Sequence, residues 1–304
     1  MKILCSGDWH IRATNPRYRI DNYYKTLLNK IDWIFELAAK EGCKVILQPG
    51  DFFDSPDQAN YVIRDMISFL GSLYNTTVLS IYGQHDTKFR RVENTALGIF
   101  EEMGAVEILN EIPLELNGIN FYGASWGKEI PIQINPEKIN ILIAHKMIVK
   151  EFQLWRGQTD YISARDMLKK YEDYDLIVSG DNHQSFTYGS KFGSMLINCG
   201  SLMRTTIAQR NHTPVVYIVD SETNEITKHE IPIRPIEEVM NLELADEIKE
   251  RNKDLEAFMT GLSSNYDAEL SFERNLTSLM KMNETSKEIR GIAEEIMGRY
   301  YSGN

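Results

Sequence analysis

The chain has 304 residues and a mass of 35.1 kDa, with 42% hydrophobic and 25% charged residues, which is typical of a globular protein with one large domain and a smaller appendage. Its formal net charge of −11 argues against holding nucleic acid by bulk electrostatics, because that attraction comes from an excess of Lys and Arg. No apolar run approaches about 18 residues and no leader-like segment opens the chain, so we expect a cytoplasmic protein without a membrane span.

The first part of the chain alternates short apolar runs with segments of helical periodicity. Strands are predicted at the apolar runs, residues 3–5, 45–47, 78–82, 141–143 and 176–178. Helices are predicted at Tyr24–Ala38, where Gly42 follows as a stop signal, at Tyr61–Leu73 and at Thr95–Met103. This alternation predicts a largely parallel sheet with helices on its faces.

The later part is predicted to add strands and then to change character. Further strands are expected at residues 106–109, 114–116, 119–122, 195–198, 215–219 and 226–231, with a hairpin turn at Asn117-Gly118. After Pro235 the chain becomes rich in Glu, Lys, Leu and Met, and helical stripes predict about three helices, broken near residues 261–266 and 283–286. We therefore expect a domain at residues 1–235 and a helical module at 236–304, which either packs on its own chain or binds a partner.

Asp or His residues follow five of the predicted strands. The motifs are Asp8-Trp9-His10, Gly50-Asp51, Gly83-Gln84-His85-Asp86, His145 and Gly180-Asp181-Asn182-His183. Open α/β sheets place their chemistry beyond the carboxyl ends of the strands, so these side chains are expected to meet. Two dications about 3.5–4 Å apart supply a nucleophile at neutral pH and stabilise charge on phosphoryl oxygens. The pattern therefore predicts a two-metal phosphoesterase site.

The same ordered motifs resemble those of the calcineurin-like metallophosphoesterases. Within that superfamily they are most similar to the SbcD-like DNA double-strand-break repair nucleases of bacterial or phage type. Two features favour that branch, the stretch Phe52-Phe53-Asp54 running on to Pro56 and the pair Gly200-Ser201 after the last motif. The resemblance covers about residues 1–233 and implies an α/β sandwich of mixed sheets flanked by helices, with the small C-terminal helical module outside it.

The resemblance implies a role for each motif residue and a cofactor of two divalent metal ions. One ion would be held by Asp8, His10, Asp51 and His183, and the other by Asp51, Gln84, His145 and Asp181. His85 would be a catalytic histidine that binds no metal and stabilises the transition state or protonates the leaving oxygen. Its neighbour Asp86 would orient it.

Two positions depart from the family pattern, and both belong to the second metal site. The family has Asn where this chain has Gln84, and His where it has Asp181. Both side chains remain competent oxygen donors, so we expect both to bind metal. A carboxylate in place of an imidazole adds a hard, charged ligand, which favours Mn²⁺, with Mg²⁺ or Fe²⁺ as alternatives, over Zn²⁺.

Basic residues with aromatics among them lie in the loops after the first and third motifs. We select Arg12, Lys88, Arg90 and Arg91 as candidate substrate-binding residues, because phosphate contacts use such side chains. Loop charge that only faces solvent is an equally good interpretation of the residues alone. The family resemblance decides for DNA.

The leading hypothesis is a two-metal DNA exonuclease and endonuclease that hydrolyses phosphodiester bonds. The resemblance also implies partners, namely DNA, an SbcC-type coiled-coil ATPase docked on the C-terminal helices, and a second copy of the nuclease domain. One alternative keeps the metals but acts on a small phosphodiester, a phosphomonoester or a phosphoprotein. A last alternative is a catalytically silent scaffold whose second metal site has decayed through Gln84 and Asp181.

Overall fold

The structure is a computed structural model that describes residues 1–73, 75–151, 158–190, 193–244, 247, 251, 276, 280 and 285–301. The chain divides into two compact units, Met1–Met240 and Asn241–Asn304. The first unit contains every motif on which the metal-site prediction depends.

The strands of the first unit form two large mixed sheets and one short pair. In chain order they are β1 Lys2–Cys5, β2 Val45–Gln48, β3 Thr77–Ser80, β4 Glu107–Ile108, β5 Leu114–Leu116, β6 Ile119–Ala124, β7 Ile139–His145, β8 Ile148–Val149, β9 Ile162–Ser163, β10 Leu176–Gly180, β11 Phe186–Gly189, β12 Met195–Asn198, β13 Val215–Asp220 and β14 Glu225–Glu230. The first sheet has the order β14-β13-β1-β2-β3-β4, and the second has the order β11-β12-β10-β7-β6-β5. Strands β8 and β9 pair separately.

The parallel strands of each sheet place their carboxyl ends side by side. Strands β1 to β4 are parallel, and so are β6, β7, β10 and β12, while the remaining strands of both sheets pair antiparallel. In the second sheet, His145 at the end of β7 is in register with Gly180 at the end of β10. This geometry collects the residues that follow these strands at one edge of each sheet.

Helices cover the outer faces of the sheets. They are α1 Tyr23–Glu41, α2 Asn60–Gly71, α3 Ala96–Glu102, α4 Ala164–Lys170 and α5 Ile236–Val239, with a 3₁₀ turn at Ile207–Gln209. Helix α1 begins after Asn22, whose side chain accepts a hydrogen bond from the Lys25 N–H, and it ends at Gly42 in the left-handed conformation. The predicted stop signal at Gly42 is thereby confirmed.

The core consists of three hydrophobic layers. The inner faces of the two sheets pack on each other through residues such as Ile3, Leu47, Ile143 and Val178. A second layer lies between the first sheet and helices α1 to α3, and a third lies between the second sheet and α4. The expected α/β sandwich of mixed sheets flanked by helices is confirmed.

The second unit is described only in part. Helix α6, Lys287–Tyr301, begins just after the second break predicted from sequence, and the Ser286 hydroxyl accepts a hydrogen bond from the Ile289 N–H. Leu276 and Met280 form a small hydrophobic cluster with Ala293. The first predicted break, residues 261–266, and the stripe residues Ala245, Ile248 and Leu279 lie outside the described residues.

Candidate metal centre

The loop after β1 sends alternate side chains in opposite directions. Trp9 is fully buried in the core, 4.7 Å from Phe52 between ring centroids, and its indole N–H donates to the Ser6 hydroxyl at 2.7 Å. Its neighbours Asp8 and His10 are buried polar residues that belong to the candidate centre. Trp9 therefore anchors the loop in the core, and the carboxylate of Asp8 and the imidazole of His10 belong to the candidate metal centre.

Three candidate ligands have left-handed backbone conformations. The φ angles are 46° at His10, 50° at Asp51 and 81° at Asp181. A residue with a side chain rarely adopts this region, and doing so costs about 1–3 kcal/mol. Three of the eight described non-glycine residues with positive φ are therefore residues that the sequence analysis selects as ligands.

Asp51 lies between the histidines of both predicted metal sites. Its Oδ1 accepts a hydrogen bond from the His85 backbone N–H at 2.9 Å. Its Oδ2 lies 3.4 Å from the His145 Nε2 and 3.7 Å from the His10 Nε2. One carboxylate oxygen is thus fixed by the backbone, and the other faces an imidazole from each predicted set. This is the arrangement expected of a bridging ligand.

The residues predicted for the first metal converge closely. Asp8, His10 and His183 each place a ligand atom within 4.8 Å of the others. The Nε2 atoms of His10 and His183 are 3.1 Å apart, and the His183 Nε2 is 3.8 Å from the Asp8 Oδ2. Two imidazole nitrogens facing each other beside a carboxylate are suited to a shared cation.

The residues predicted for the second metal form two pairs. Asp51 faces His145, and the Gln84 side-chain amide donates to the Asp181 Oδ1 at 3.2 Å. The Asp181 backbone N–H donates to the Asp8 Oδ2 at 3.0 Å, which ties this loop to the first set. The structure brings Gln84 and Asp181 into contact, as it must if both bind one ion.

The donor set fits divalent cations. Buried side-chain atoms without a hydrogen-bond partner in the described residues include the Asp8 Oδ1, the Asp51 Oδ2 and the His145 Nε2. The His145 Nδ1 lies 2.6 Å from the Pro49 carbonyl oxygen, which can only accept, so this nitrogen carries a proton and Nε2 faces Asp51. Burial lowers the pKa of His145, but Asp51 and Asp8 outweigh it and raise the pKa to about 10, and a dication can replace the proton on Nε2. Buried polar atoms are normally satisfied, and the two predicted cations together would satisfy these three.

The burial of these groups shifts their proton affinities. Burial raises the pKa of Asp8 well above its usual range, and it lowers the pKa of His10 to about 3. Without a cation, the Asp8 carboxylate is held where its charged form is unfavourable. A bound dication stabilises carboxylate anions and neutral imidazoles, which are the forms that bind metal.

Two glycines allow the strand ends to approach the carboxylates. A Cβ added at Gly180 would lie 2.5 Å from the Asp8 Oδ1, 2.5 Å from the Pro49 carbonyl oxygen and 2.9 Å from the His145 Nδ1. A Cβ at Gly83 would overlap the carboxylate of Asp51. Both motifs therefore need glycine for a steric reason, because any side chain there would displace candidate ligands.

A comparison with protein-family models decides the family. The model for calcineurin-like phosphoesterase matches residues 1–185, which include all the motifs described above. The chain belongs to the calcineurin-like phosphoesterase family. This membership identifies a metal-dependent hydrolase and confirms the resemblance seen in the motifs.

Relatives of this calcineurin-like phosphoesterase include two proteins with nuclease or DNA-repair names. The DNA double-strand break repair protein Mre11 of Sulfolobus acidocaldarius is 25% identical over 161 residues, which are 49% of this chain and 42% of that protein. A subunit of the nuclease SbcCD from Staphylococcus saprophyticus is 22% identical over 287 residues, which are 83% of this chain and 74% of that protein. The match thus spans less than half of the archaeal relative.

A solved structure agrees with the fold. A dimetal phosphatase from Danio rerio superposes with a TM-score of 0.50 at 9% identity, covering 76% of this chain and 95% of that one. At this identity the likeness concerns the fold alone. Within the described residues, no helix has both the length and the apolar character needed to cross a bilayer.

His85 is oriented by a different residue from the one predicted. Its Nδ1 lies 2.9 Å from the backbone carbonyl oxygen of Asp54. Asp86 is fully buried, and its carboxylate instead accepts backbone N–H bonds from Phe52, Phe53 and Gly83 at 2.9–3.1 Å. The prediction that Asp86 orients His85 is wrong, because its carboxylate is hydrogen-bonded to three backbone N–H groups instead. These bonds connect the loop after β2 with the loop after β3.

Asp54 is a candidate positioning residue that the sequence analysis did not select. Its carbonyl fixes His85, and its carboxylate lies 2.9 Å from the Arg12 guanidinium and 3.7 Å from the His10 Nδ1. Its position in the loop after Phe53 favours a structural role when the sequence is considered alone. Every residue has a backbone carbonyl, so the sequence cannot show that the carbonyl of Asp54 contacts His85. Only the contacts of the Asp54 carboxylate could have been predicted from its residue type.

The predicted substrate-binding residues differ in availability. Arg12 is engaged by Asp54 and by Thr14, and Lys88 forms an ion pair with Asp57 at 2.7 Å. Arg90 and Arg91 are exposed and have no ion pair within the described residues. The structure thus leaves Arg90 and Arg91 free for a substrate phosphate, while the charges of Arg12 and Lys88 are already partly neutralised.

Proposed function

We propose that this phosphoesterase is a two-metal DNA nuclease, an exonuclease with endonuclease activity. The observation that carries the proposal is the cluster of Asp8, His10 and His183, which Asp51 joins at His10, with unsatisfied buried ligand atoms at the carboxyl ends of the strands. The names of the relatives, one a component of a nuclease and the other a double-strand break repair protein, support DNA as the substrate.

The ligands divide as the sequence analysis proposes. Asp8, His10, Asp51 and His183 would hold one divalent ion, and Asp51, Gln84, His145 and Asp181 would hold the other. When bound, the ions supply a nucleophile at neutral pH and withdraw charge from the phosphoryl oxygens. The many oxygen donors favour Mn²⁺, and Asp181 and Gln84 supply the oxygens that distinguish this chain at the second ion.

His85 is proposed as the catalytic group that binds no metal. Because the Asp54 carbonyl can only accept, the His85 Nδ1 carries a proton and Nε2 is the nitrogen that exchanges one. In its protonated form, Nε2 can donate to the leaving oxygen as the ester bond breaks. Its ring lies 4.9 Å from that of His10, between centroids, which places it at the edge of the first metal set.

A tight turn beside the centre has the side chains that DNA binding needs. Phe89 is 92% exposed, and Phe89 and Arg90 both have positive φ, with Lys88 and Arg91 paired across the turn. This conformation is strained for a bulky residue and marks functional sites. An exposed ring flanked by arginines suits base stacking and phosphate contacts, with stacking worth about 1–3 kcal/mol per base.

Substrate choice can be tested with three esters in parallel. Wild type, His85→Ala and Phe89→Ala/Arg90→Ala are assayed with Mn²⁺ on linear duplex DNA, single-stranded DNA and bis-p-nitrophenyl phosphate. We expect His85→Ala to lose turnover on all three while still binding metal. The turn variant should lose at least about tenfold on DNA and keep activity on the small ester, because stacking and phosphate contacts act on DNA alone.

Ile112→Ala is the control for the turn variant, because it removes another exposed apolar side chain, 73% accessible, from a loop. Cleavage of the small ester with inert DNA would overturn the DNA proposal and favour a small phosphodiester, a phosphomonoester or a phosphoprotein. If the turn variant and Ile112→Ala cleave DNA equally well, the turn does not contribute to DNA binding.

We also propose partners for this nuclease. The name of the staphylococcal relative describes one subunit of the nuclease SbcCD, which supports a partner subunit for this chain. From the family resemblance we propose that this partner is an SbcC-type ATPase docked on residues 236–304, and that the nuclease domain forms a homodimer. Sedimentation of the full chain tests the dimer. Co-purification with an SbcC-type ATPase, compared between the full chain and a chain ending at residue 240, tests the docking.

A further inference from the structure

A cavity of about 640 Å³ lies in the first unit, between the start of α1 and the segment that follows β14. Its cationic lining residues are Arg19, Lys25, Lys30, Arg204 and Arg234, against two carboxylates, Asp21 and Glu238. Its volume is within the range of about 300–1,000 Å³ found for small-molecule sites. Positive charge is therefore concentrated here in a chain whose net charge is −11.

Two of these cations are buried without a matching carboxylate. Lys30 is 7% exposed and Arg204 is 5% exposed. The Lys30 ammonium donates to the Leu202 carbonyl at 3.0 Å, and the Arg204 guanidinium donates to the Arg234 carbonyl at 2.6 Å. Among the described residues, no carboxylate lies within 4.0 Å of either group. Buried Lys and Arg are normally paired, so these two need an explanation.

The nearby Asp21 cannot supply the missing charge. Its carboxylate already accepts two hydrogen bonds from Arg19, both at 2.8 Å, one from Arg234 at 2.6 Å and one from the Thr26 hydroxyl at 2.7 Å. Three of these bonds go to the Asp21 Oδ2 and one to its Oδ1. The carboxylate is therefore engaged by Arg19, Arg234 and Thr26, and Lys30 and Arg204 have only the longer-range charge of Asp21 and, for Arg204, of Glu237 to oppose their own.

The charged groups around Lys30 make this imbalance measurable. Burial, followed by the nearby Arg204 and Arg19, lowers the pKa of Lys30 to about 7, while Asp21 acts in the opposite direction. Burial and Arg19 also lower the pKa of Arg204, against Asp21 and Glu237. The pKa of the neighbouring His212 is lowered by burial and, in addition, by the positive charges of Lys30 and Arg204. The protein thus holds a cluster of cations at a cost that an anion would remove.

The remaining lining residues are suited to an organic group. Trp33, Ile231 and Val239 line the cavity beside the cations. An inorganic ion alone would leave this apolar surface and most of the volume unused. We infer that the cavity binds an organic phosphate, with its phosphoryl group at Lys30 and Arg204 and an aromatic or heterocyclic part against Trp33.

Adenosine 5′-monophosphate is a suitable probe, with adenosine and inorganic phosphate as its two halves. Calorimetric titration of the full chain, once with Mn²⁺ and once with a chelator, separates this cavity from the metal centre. We expect the nucleotide to bind under both conditions, and adenosine to bind at least about tenfold more weakly, since hydrogen bonds to charged groups are worth that much.

Variants test the named residues. Lys30→Met and Arg204→Met should each weaken nucleotide binding at least about tenfold. Lys40→Met removes an exposed cation from the same helix as Lys30 and should leave binding unchanged. At pH 8, binding to wild type should take up protons, seen as different enthalpies in two buffers, and Lys30→Met should abolish this uptake.

The outcomes are distinguishable. Absence of saturable binding to wild type overturns the inference, and so does equal affinity in wild type and Lys30→Met. Binding that appears only with Mn²⁺, and is lost in Asp51→Asn, assigns the nucleotide to the metal centre instead. If a variant fails to fold, the comparison of ligands on wild type still decides, because equal affinity for the nucleotide and for adenosine would exclude a phosphoryl contact in the cavity. The inference does not depend on DNA being the substrate.

Discussion

The candidate metal centre and the cationic cavity bury charge of opposite sign, and in both the hydrogen bonding of the charged groups is incomplete. Within the described residues, the Asp8 Oδ1 and the Asp51 Oδ2 have no hydrogen bond, and the Asp51 Oδ2 faces His10 and His145. In the cavity, the hydrogen bonds that Lys30 and Arg204 donate to described residues go to backbone carbonyls. A buried charge that the fold does not compensate indicates a ligand of the opposite charge.

A third buried charge shows the contrast. Asp86 is as buried as Asp8 and Asp51, yet three backbone N–H groups satisfy its carboxylate. Burial and the nearby Asp51 still raise the pKa of Asp86 to about 7, but both of its oxygens are hydrogen-bonded within the fold. Burial alone therefore does not distinguish a candidate metal ligand from a structural carboxylate. The presence or absence of hydrogen bonds to each buried oxygen does distinguish them.

The largest effect is expected from Asp51→Asn, which tests the anionic centre. The amide removes the charge that both metal sets share, so turnover on bis-p-nitrophenyl phosphate should fall by about 10²–10³-fold or more. Calorimetric titration with Mn²⁺ should show weaker binding at the same time. Unchanged metal affinity together with unchanged turnover would exclude Asp51 as the bridging ligand.

Gly180→Ala perturbs the same centre by steric contact alone. The added methyl must displace Asp8, Pro49 or His145, so the free energy of unfolding should fall by up to about 3 kcal/mol and Mn²⁺ affinity should fall with it. Gly71→Ala is the matched control, since its Cβ would meet nothing within 4 Å at the end of α2. Chemical denaturation with and without Mn²⁺ measures both variants, and equal behaviour would contradict the steric argument.

Lys30→Met tests the cationic cavity through the pH dependence of stability. The pKa of Lys30 is about 7 in the folded chain and near its ordinary value of 10.5 in the unfolded chain, so the unfolded chain binds more protons between these values. Wild type should therefore gain about 2 kcal/mol relative to Lys30→Met as the pH rises from 7 to 9.

The variant should be the more stable protein at pH 7, and its advantage should shrink as the pH rises. Denaturation of both proteins at several pH values measures this difference, with Lys40→Met as the control that follows wild type. A constant difference between wild type and Lys30→Met would mean that the ammonium is already compensated.

Asp86→Asn should have the smallest effect. One of its oxygens becomes an amide group that faces a backbone donor, so the free energy of unfolding should fall by about 1.5 kcal/mol. Turnover of the folded, Mn²⁺-loaded protein should change little, because the Asp54 carbonyl orients His85. A selective loss of turnover at full stability would restore Asp86 as a positioning residue.

Much of the fold could be predicted from sequence because its signals are local. Apolar runs bounded by Asp and Gly predicted β1, β2, β3, β7 and β10, and helical periodicity predicted α1 to within a few residues. Strands β8 and β9 have only two residues each, and β11, Phe186–Gly189, pairs with the neighbouring β12 but has no apolar run of its own. Such segments leave weak local patterns, and β11, β8, β9 and α4 were accordingly not predicted.

The candidate site divides in the same way. Side-chain identity and position after a strand selected Asp8, His10, Asp51, His145 and His183. The carbonyls of Pro49 and Asp54, which fix the rings of His145 and His85, have no sequence signature. The cationic cavity was missed as well, because Arg19, Lys30 and Arg204 are far apart in the sequence and only Arg19 stood in a motif loop.

The placement of Trp9 has a spectroscopic consequence. Its indole is buried against Phe35 and Phe52, while the residues on either side of it belong to the candidate metal centre. Any shift of this backbone when a cation binds moves the indole relative to two rings. Near-ultraviolet circular dichroism can therefore follow loading of the centre without a dye, a chromogenic substrate or a label.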